Sequence, residues 1–211
     1  MKAKYRKLLA WLMGTDVYAY LLKHIIPYIR FSMYYTKIRG HKYHALYDRL
    51  EPGDVILSSD NRKLTTLLIP GEFSHASMCV SVTKPVENYS RGILDTWEVS
   101  EMTHHDYTKS AFFDICKESD RVVIMRYTEA SAVVISSAIA RCKSFSYAEY
   151  DVEFDLGVKA LYCSELIYQS YEDNALGADL DDLVGLGREY ISPTGLYKAK
   201  HLVVVIDSDN L

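Results

Sequence analysis

The chain has 211 residues, enough for one well-cored domain with a small appendage, and its 49% hydrophobic and 25% charged content is that of a globular protein. A formal net charge of −4, with no long basic run, leaves no nucleic-acid footprint, so nucleic acid is not an expected partner. Cys79, Cys116, Cys142 and Cys163 stand far apart with no Cys-x-x-Cys pair, which suggests neither a zinc site nor a disulfide framework. Reduced thiols, and with them a cytoplasmic location, are expected.

The N-terminus is basic (Lys2, Lys4, Arg6, Lys7), but the apolar stretch behind it is short and broken at Gly14-Thr15-Asp16. It lacks a small-x-small cleavage site, so a signal peptide is not expected. Asp16, Lys23 and Arg30 interrupt the apolar region before it reaches the length of a membrane span. Leu8, Trp11, Leu12, Tyr18, Leu21, Leu22, Ile25, Tyr28 and Ile29 recur at helical spacing. Thr15 is placed to cap a second helix and Pro27 to end or kink it. Residues 1–49 are therefore expected to form a helical extension packed on a domain of residues 50–211. A helix lying on a membrane surface or on a partner is the alternative, since Trp11, Tyr18, Tyr20 and several Lys and Arg suit an interface.

Beyond Leu50 the pattern turns to strands. Val55–Ser58, His75–Val82, Ile93–Val99, Val122–Arg126 and Leu202–Ile206 are short β-rich runs bounded by Gly, Pro, Asp or Ser. Ser131–Ser144 and Cys163–Asn174 read as helices, and the Gly- and Asp-containing 176–189 stretch reads as a loop near the site. Strands first, then helices, then a closing strand indicate an α+β fold. Asp54, after Pro52-Gly53, is expected to fix the turn entering the first strand.

The chemistry gathers at two places. In Tyr162-Cys163-Ser164-Glu165 a thiol opens an amphipathic helix, where unpaired N–H groups and the macrodipole favour a thiolate. In Phe73-Ser74-His75-Ala76 a histidine opens a strand after a Pro-Gly turn. Nucleophile and base are built this way in papain-like cysteine enzymes. The Cys163 backbone N–H is the first oxyanion donor expected, with Tyr147 and Tyr162 as candidates for a second. Cys79 lies about 13 Å from His75 along the same strand, at about 3.3 Å per residue, too far to share a reacting atom. His24, His41, His44, His104, His105 and His201 keep ordinary structural readings. His41-x-x-His44 and His104-His105 lack companion ligands at metal-site spacing, so no metal and no cofactor are expected.

Taken in order, Gly53-Asp54-Val55, the Ile69–Ala76 run, Tyr150-Asp151, Tyr162–Glu165 and Ile191-Ser192-Pro193 resemble the circularly permuted branch of the NlpC-type papain-like superfamily, the YiiX-like proteins, relatives of lecithin–retinol acyltransferase-like enzymes. The resemblance covers roughly Leu50 to Ile206. It implies a small antiparallel sheet or barrel packed on helices. It also implies a polar residue on the strand after the histidine strand that orients the imidazole. Glu98 fits that place, Asp95 is its rival and Glu101 a remote third. The reaction implied is cysteine hydrolysis of an amide, such as a cell-wall peptide or an N-acyl amino acid, through an acyl-enzyme on Cys163. Lipid acyl transfer or thiol-ester chemistry at the same site is the alternative, and an inactive binding protein of the same fold is a further one. The expected partner is thus a small-molecule, peptide or lipid acyl substrate, and the sequence leaves the oligomeric state open.

Overall fold

The computed structural model of the protein describes residues 15–31, 37–64, 66, 69, 71–83, 96–182 and 188–211. Its centre is a six-stranded antiparallel sheet made of β1 (Val55–Ser59), β2 (His75–Thr83), β3 (Thr96–Thr103), β4 (Asp106–Ala111), β5 (Arg121–Tyr127) and β8 (Leu202–Asp207), in the order β8-β5-β1-β2-β3-β4. β1 is central and buried along its whole length, which explains its unbroken Val-Ile-Leu run instead of an alternating one.

Helices cover both faces of the sheet. On one face Val55, Leu57, Ala76, Met78, Val123 and Met125 pack beneath α4 (Ala132–Ser144) and α5 (Cys163–Ser170). On the other, Ile56, Cys79, Val99, Val122 and Ile124 meet α2 (His41–Tyr47) and α3 (Phe112–Glu118). His41 and His44 therefore belong to a short helix that buries Tyr43 and Leu46. Ahead of these, Thr15 caps α1 (Asp16–His24) by accepting the Tyr18 N–H, and Pro27 sits in a 3₁₀ turn, Ile26–Tyr28, where the α-helix has ended. Leu8, Trp11 and Leu12, read as the first helix of the extension, lie outside the described residues.

The turn before β1 is held by charge. The buried Asp54 carboxylate accepts the Glu51 N–H (2.7 Å) and both Nε (2.7 Å) and Nη2 (2.8 Å) of Arg126 from β5. Gly53 sits at φ +90°, and a Cβ there would lie 2.6 Å from Ile135, so this turn needs glycine twice over.

The expected third strand, Ile93–Val99, is where the sequence reading departs most from the fold. The described strand runs on to Thr103 and turns back into β4. Part of the 176–189 loop is a small ladder, with Asp181 and Asp182 of β6 (Asp181–Asp182) opposite Tyr190 and Glu189 of β7 (Glu189–Tyr190).

Candidate active site

Cys163 is the first residue of α5, and His75 is the first of β2. Four tethers hold the helix start in place. The Tyr162 hydroxyl accepts the Ile191 N–H (2.9 Å), and the Ser164 hydroxyl donates to the Ile191 carbonyl (2.7 Å), so both backbone groups of Ile191 are used. Glu165 accepts the Gly157 N–H (2.6 Å), and the Cys163 sulfur hydrogen-bonds His75. The histidine side is locked by α6 (Pro193–Tyr197): Thr194 Oγ1 accepts the N–H groups of Glu72 (2.9 Å) and Phe73 (3.2 Å). Gly71, at φ +116°, leaves room for that hydroxyl, since a Cβ would lie 2.2 Å from it. Ile191 and Thr194, on either side of Ser192-Pro193, thus hold the Cys163 and His75 segments in place.

His75 Nε2 lies 2.6 Å from Glu101 Oε2, which leaves Nδ1 to meet the thiol. The Ser110 hydroxyl donates to the other Glu101 oxygen. The carboxylate beside the imidazole is therefore Glu101, and the expectation of Glu98 is corrected. Ser77 pairs with Glu101 across β2 and β3, so Glu101 shares its face with Ser77 and with His75 two residues along. Glu98 lies three residues back, on the opposite face, with Lys109 Nζ at 3.7 Å. Asp95 lies outside the described residues. A sequence signal did exist. Trp97, Val99 and Glu101 alternate, so a strand continued past Val99 carries a carboxylate onto its buried stripe.

The electrostatics favour an ion pair. Burial opposes ionisation of Cys163, but the hydrogen bond and charge of His75, with the Ala76 and Ser164 N–H groups, hold the thiol below its ordinary value. Burial likewise works against a charged His75, and its bonds to Cys163 and Glu101 overcome this and raise it. Glu101 is buried as well, yet His75 and Ser110 hold its carboxyl below the usual range. The other thiols go the opposite way: burial pushes Cys79 and Cys116 up, and Cys142 to about 11.

Glu165 is fully buried two residues beyond the thiol, and burial pushes its carboxyl up to about 8. It is thus neutral at pH 7 and does not oppose the thiolate. The raised value means that its stabilising contribution is complete below about 4.5 and is lost as pH rises through about 8. Glu165→Gln should melt with wild type near the lower end of that range and increasingly above it toward the upper end, read by thermal denaturation across pH. A Tm difference that does not grow with pH would contradict the assignment.

The pair opens into a cavity of about 420 Å³, within the range of roughly 300–1,000 Å³ usual for small-molecule sites. Its walls are mostly apolar, with Met102, Ile115, Phe154 and Tyr190 from the domain and Tyr18 and Leu22 from α1. Although all the candidate site residues lie beyond Leu50, the extension supplies part of the wall. His104 and His105 stand at the rim, in the β3–β4 turn. Of the two tyrosines expected to donate to an oxyanion, Tyr147 is 74% exposed and absent from the wall, whereas Tyr162 lines the cavity, its hydroxyl accepting from Ile191 and still carrying its own proton. Tyr150 is the tyrosine that sequence reasoning passed over. It lines the cavity, its N–H is anchored by Asp106 Oδ1 (2.9 Å), and its hydroxyl is raised by burial and by the charge of Cys163.

A thiol on a helix start facing a histidine on the sheet, with the histidine earlier in the chain, is the arrangement of a permuted papain-like protein. Residues 49–205 match the family described as permuted papain-like amidase enzyme, YaeF/YiiX, C92 family, and the chain belongs to that family. Among solved structures it is similar to metalloprotein yiiX from Escherichia coli O157:H7, with 16% identity, a TM-score of 0.54, and coverage of 75% of this chain and 97% of that one. At that identity the likeness is one of fold. No match was found among the curated proteins. Among the described residues, no group of three or more His, Cys, Asp or Glu is placed to hold a metal ion, and no helix is long and apolar enough to cross a membrane.

Proposed function

We propose that the protein is a cysteine hydrolase that cleaves an amide of a hydrophobic acyl group. The single observation behind this is the Cys163–His75–Glu101 line opening into a largely apolar cavity. The acyl chain occupies the cavity and the amine side leaves by the rim. The Cys163 thiolate attacks the carbonyl carbon, forming the C–S bond. The Cys163 N–H, at the helix start, and the Tyr150 hydroxyl stabilise the oxyanion. As the C–N bond breaks, protonated His75 gives its Nδ1 proton to the leaving nitrogen. A water then attacks the thioester, His75 takes a proton from it, and the acid and the thiolate are regenerated. Glu101 holds Nε2–H throughout, fixing the tautomer that points Nδ1 at sulfur.

Acyl transfer remains the second reading, favoured by the same apolar wall and by the cover that α1 gives it, since excluding water lets an amine or alcohol take the acyl group instead.

The test is a series of N-acyl amino acids differing in acyl length, with muropeptide fragments and phospholipid alongside and Cys163→Ala as control. The expected result is a kcat/KM that climbs with chain length, by about tenfold for each two buried methylenes at about 0.8 kcal/mol apiece, and no turnover by the control. Turnover confined to muropeptides, or a kcat/KM indifferent to chain length, would reject the acyl reading. Movement of the acyl chain from phospholipid to an added amine would favour transfer.

A further inference from the structure

The segment that roofs the cavity has a second, outward side. While Tyr18 and Leu22 line the cavity, Val17 (69% exposed), Tyr20 (59%), Tyr28 (62%) and Phe31 (60%) face away from the protein, with Ile25 and Ile29 also exposed beside them. So many exposed large apolar side chains within fifteen residues form a patch rather than the scattered singles of an ordinary surface. The segment is held in this orientation by ion pairs: Lys23 to Asp106 (2.9 Å) and Arg30 to Glu118 (3.4 Å), followed by Lys37 to Asp120 (3.0 Å). Charge is divided in the same sense. Residues 1–49 carry ten Lys or Arg against two Asp or Glu, and the remainder carries fourteen against twenty-six. The first seven residues alone hold Lys2, Lys4, Arg6 and Lys7, followed by Leu8, Leu9, Trp11 and Leu12.

We infer that the outer side of residues 15–31 docks on an anionic lipid surface, setting the α1 wall of the Cys163 cavity beside the membrane so that an acyl substrate has a short path from lipid to thiol. The inference rests on the acyl reading for the substrate, but not for the docking itself. Apolar and aromatic residues on the outer side of one segment, within residues 1–49 that together carry eight net positive charges, are the composition that settles into the headgroup layer. The acidic remainder of the chain is repelled by the same surface, which fixes which side approaches. Continuity of the patch with the cavity wall, through α1, is what separates this site from a merely sticky surface.

The experiment is sedimentation of the full chain, carrying Cys163→Ala so that no turnover intervenes, with vesicles of phosphatidylcholine containing one third phosphatidylglycerol. A second arm uses phosphatidylcholine alone. The full chain is expected to bind the anionic vesicles and to lose affinity as salt rises. The triple variant Val17→Ser, Tyr20→Ser, Phe31→Ser should bind at least tenfold more weakly. With Cys163 restored, the same triple variant should hydrolyse a short soluble N-acyl amide as wild type does, which shows that it is folded. Absence of binding at low salt, equal binding to both lipids, or unchanged binding by the triple variant would overturn the inference. A dimer in solution that the triple variant abolishes, without vesicle binding, would overturn it in favour of a second copy of the chain. Because binding is read without turnover, failure of the docking is distinguishable from failure of the acyl reading.

Discussion

His75→Ala is expected to lower kcat by roughly 10²–10⁴-fold, the usual contribution of a positioned acid–base group. The loss has two parts that act together. Without the imidazolium the buried Cys163 thiol keeps its proton, because burial alone disfavours the thiolate and His75 is the main influence working against burial. The leaving nitrogen also loses its proton donor. The measurement is kcat on an N-acyl amide across pH. Wild type should be active over the interval in which the lowered thiol is already ionised and the raised imidazole still protonated, with activity falling at either side. The variant should lose that plateau and recover only above the pH at which an ordinary thiol ionises, because burial then acts against the thiolate with the imidazolium gone. A variant retaining the plateau would remove His75 from the reaction.

Glu101→Gln carries the second large effect, again roughly 10²–10⁴-fold in kcat. Ser110 donates to one Glu101 oxygen and His75 Nε2 meets the other. With glutamine the carbonyl stays with the Ser110 hydroxyl, and the amide N–H₂ is left facing Nε2. That favours the tautomer with Nδ1–H in the neutral ring and withdraws the charge that holds His75 protonated. Folding should be little changed, since shape and burial are preserved. Glu98→Gln is the internal comparison and should run near wild type, because its side chain lies on the other face of β3. If Glu98→Gln were the damaged variant and Glu101→Gln the active one, the β2–β3 register described above would be wrong by one face.

How much of this was legible in sequence depends on where local and tertiary signals agree. β1, β2, β5 and β8 were readable because their apolar runs meet Gly, Pro, Asp or Ser at one end or both, and α4 because Ser131 caps an Ala-rich stretch. Cys163 and His75 were readable because each opens its element. β4 was not: Asp-Tyr-Thr-Lys-Ser-Ala lies at the sheet edge, only half-buried, and carries no apolar alternation. Glu101, the carboxylate beside the imidazole, was ranked last of three candidates for a related reason. A charged residue in a buried stripe reads as the end of a strand, so the strand was cut at Val99, two residues short of Glu101. α2 and α3 are seven residues each and bury only two or three side chains, too few to impose a visible period. The share of the cavity wall supplied by α1 is a purely tertiary fact that no local pattern announces.

The central claim is that Cys163 is held as a thiolate by His75, and alkylation with limiting iodoacetamide, followed by peptide mass mapping, tests it most directly. The expected result is labelling of Cys163 ahead of Cys79, Cys116 and Cys142. Its rate should vary less with pH near neutrality than that of an ordinary thiol, and in His75→Ala it should be lower there and climb with pH. Labelling of another cysteine first, or a Cys163 rate that climbs steadily toward pH 9 as in a free thiol, would contradict it.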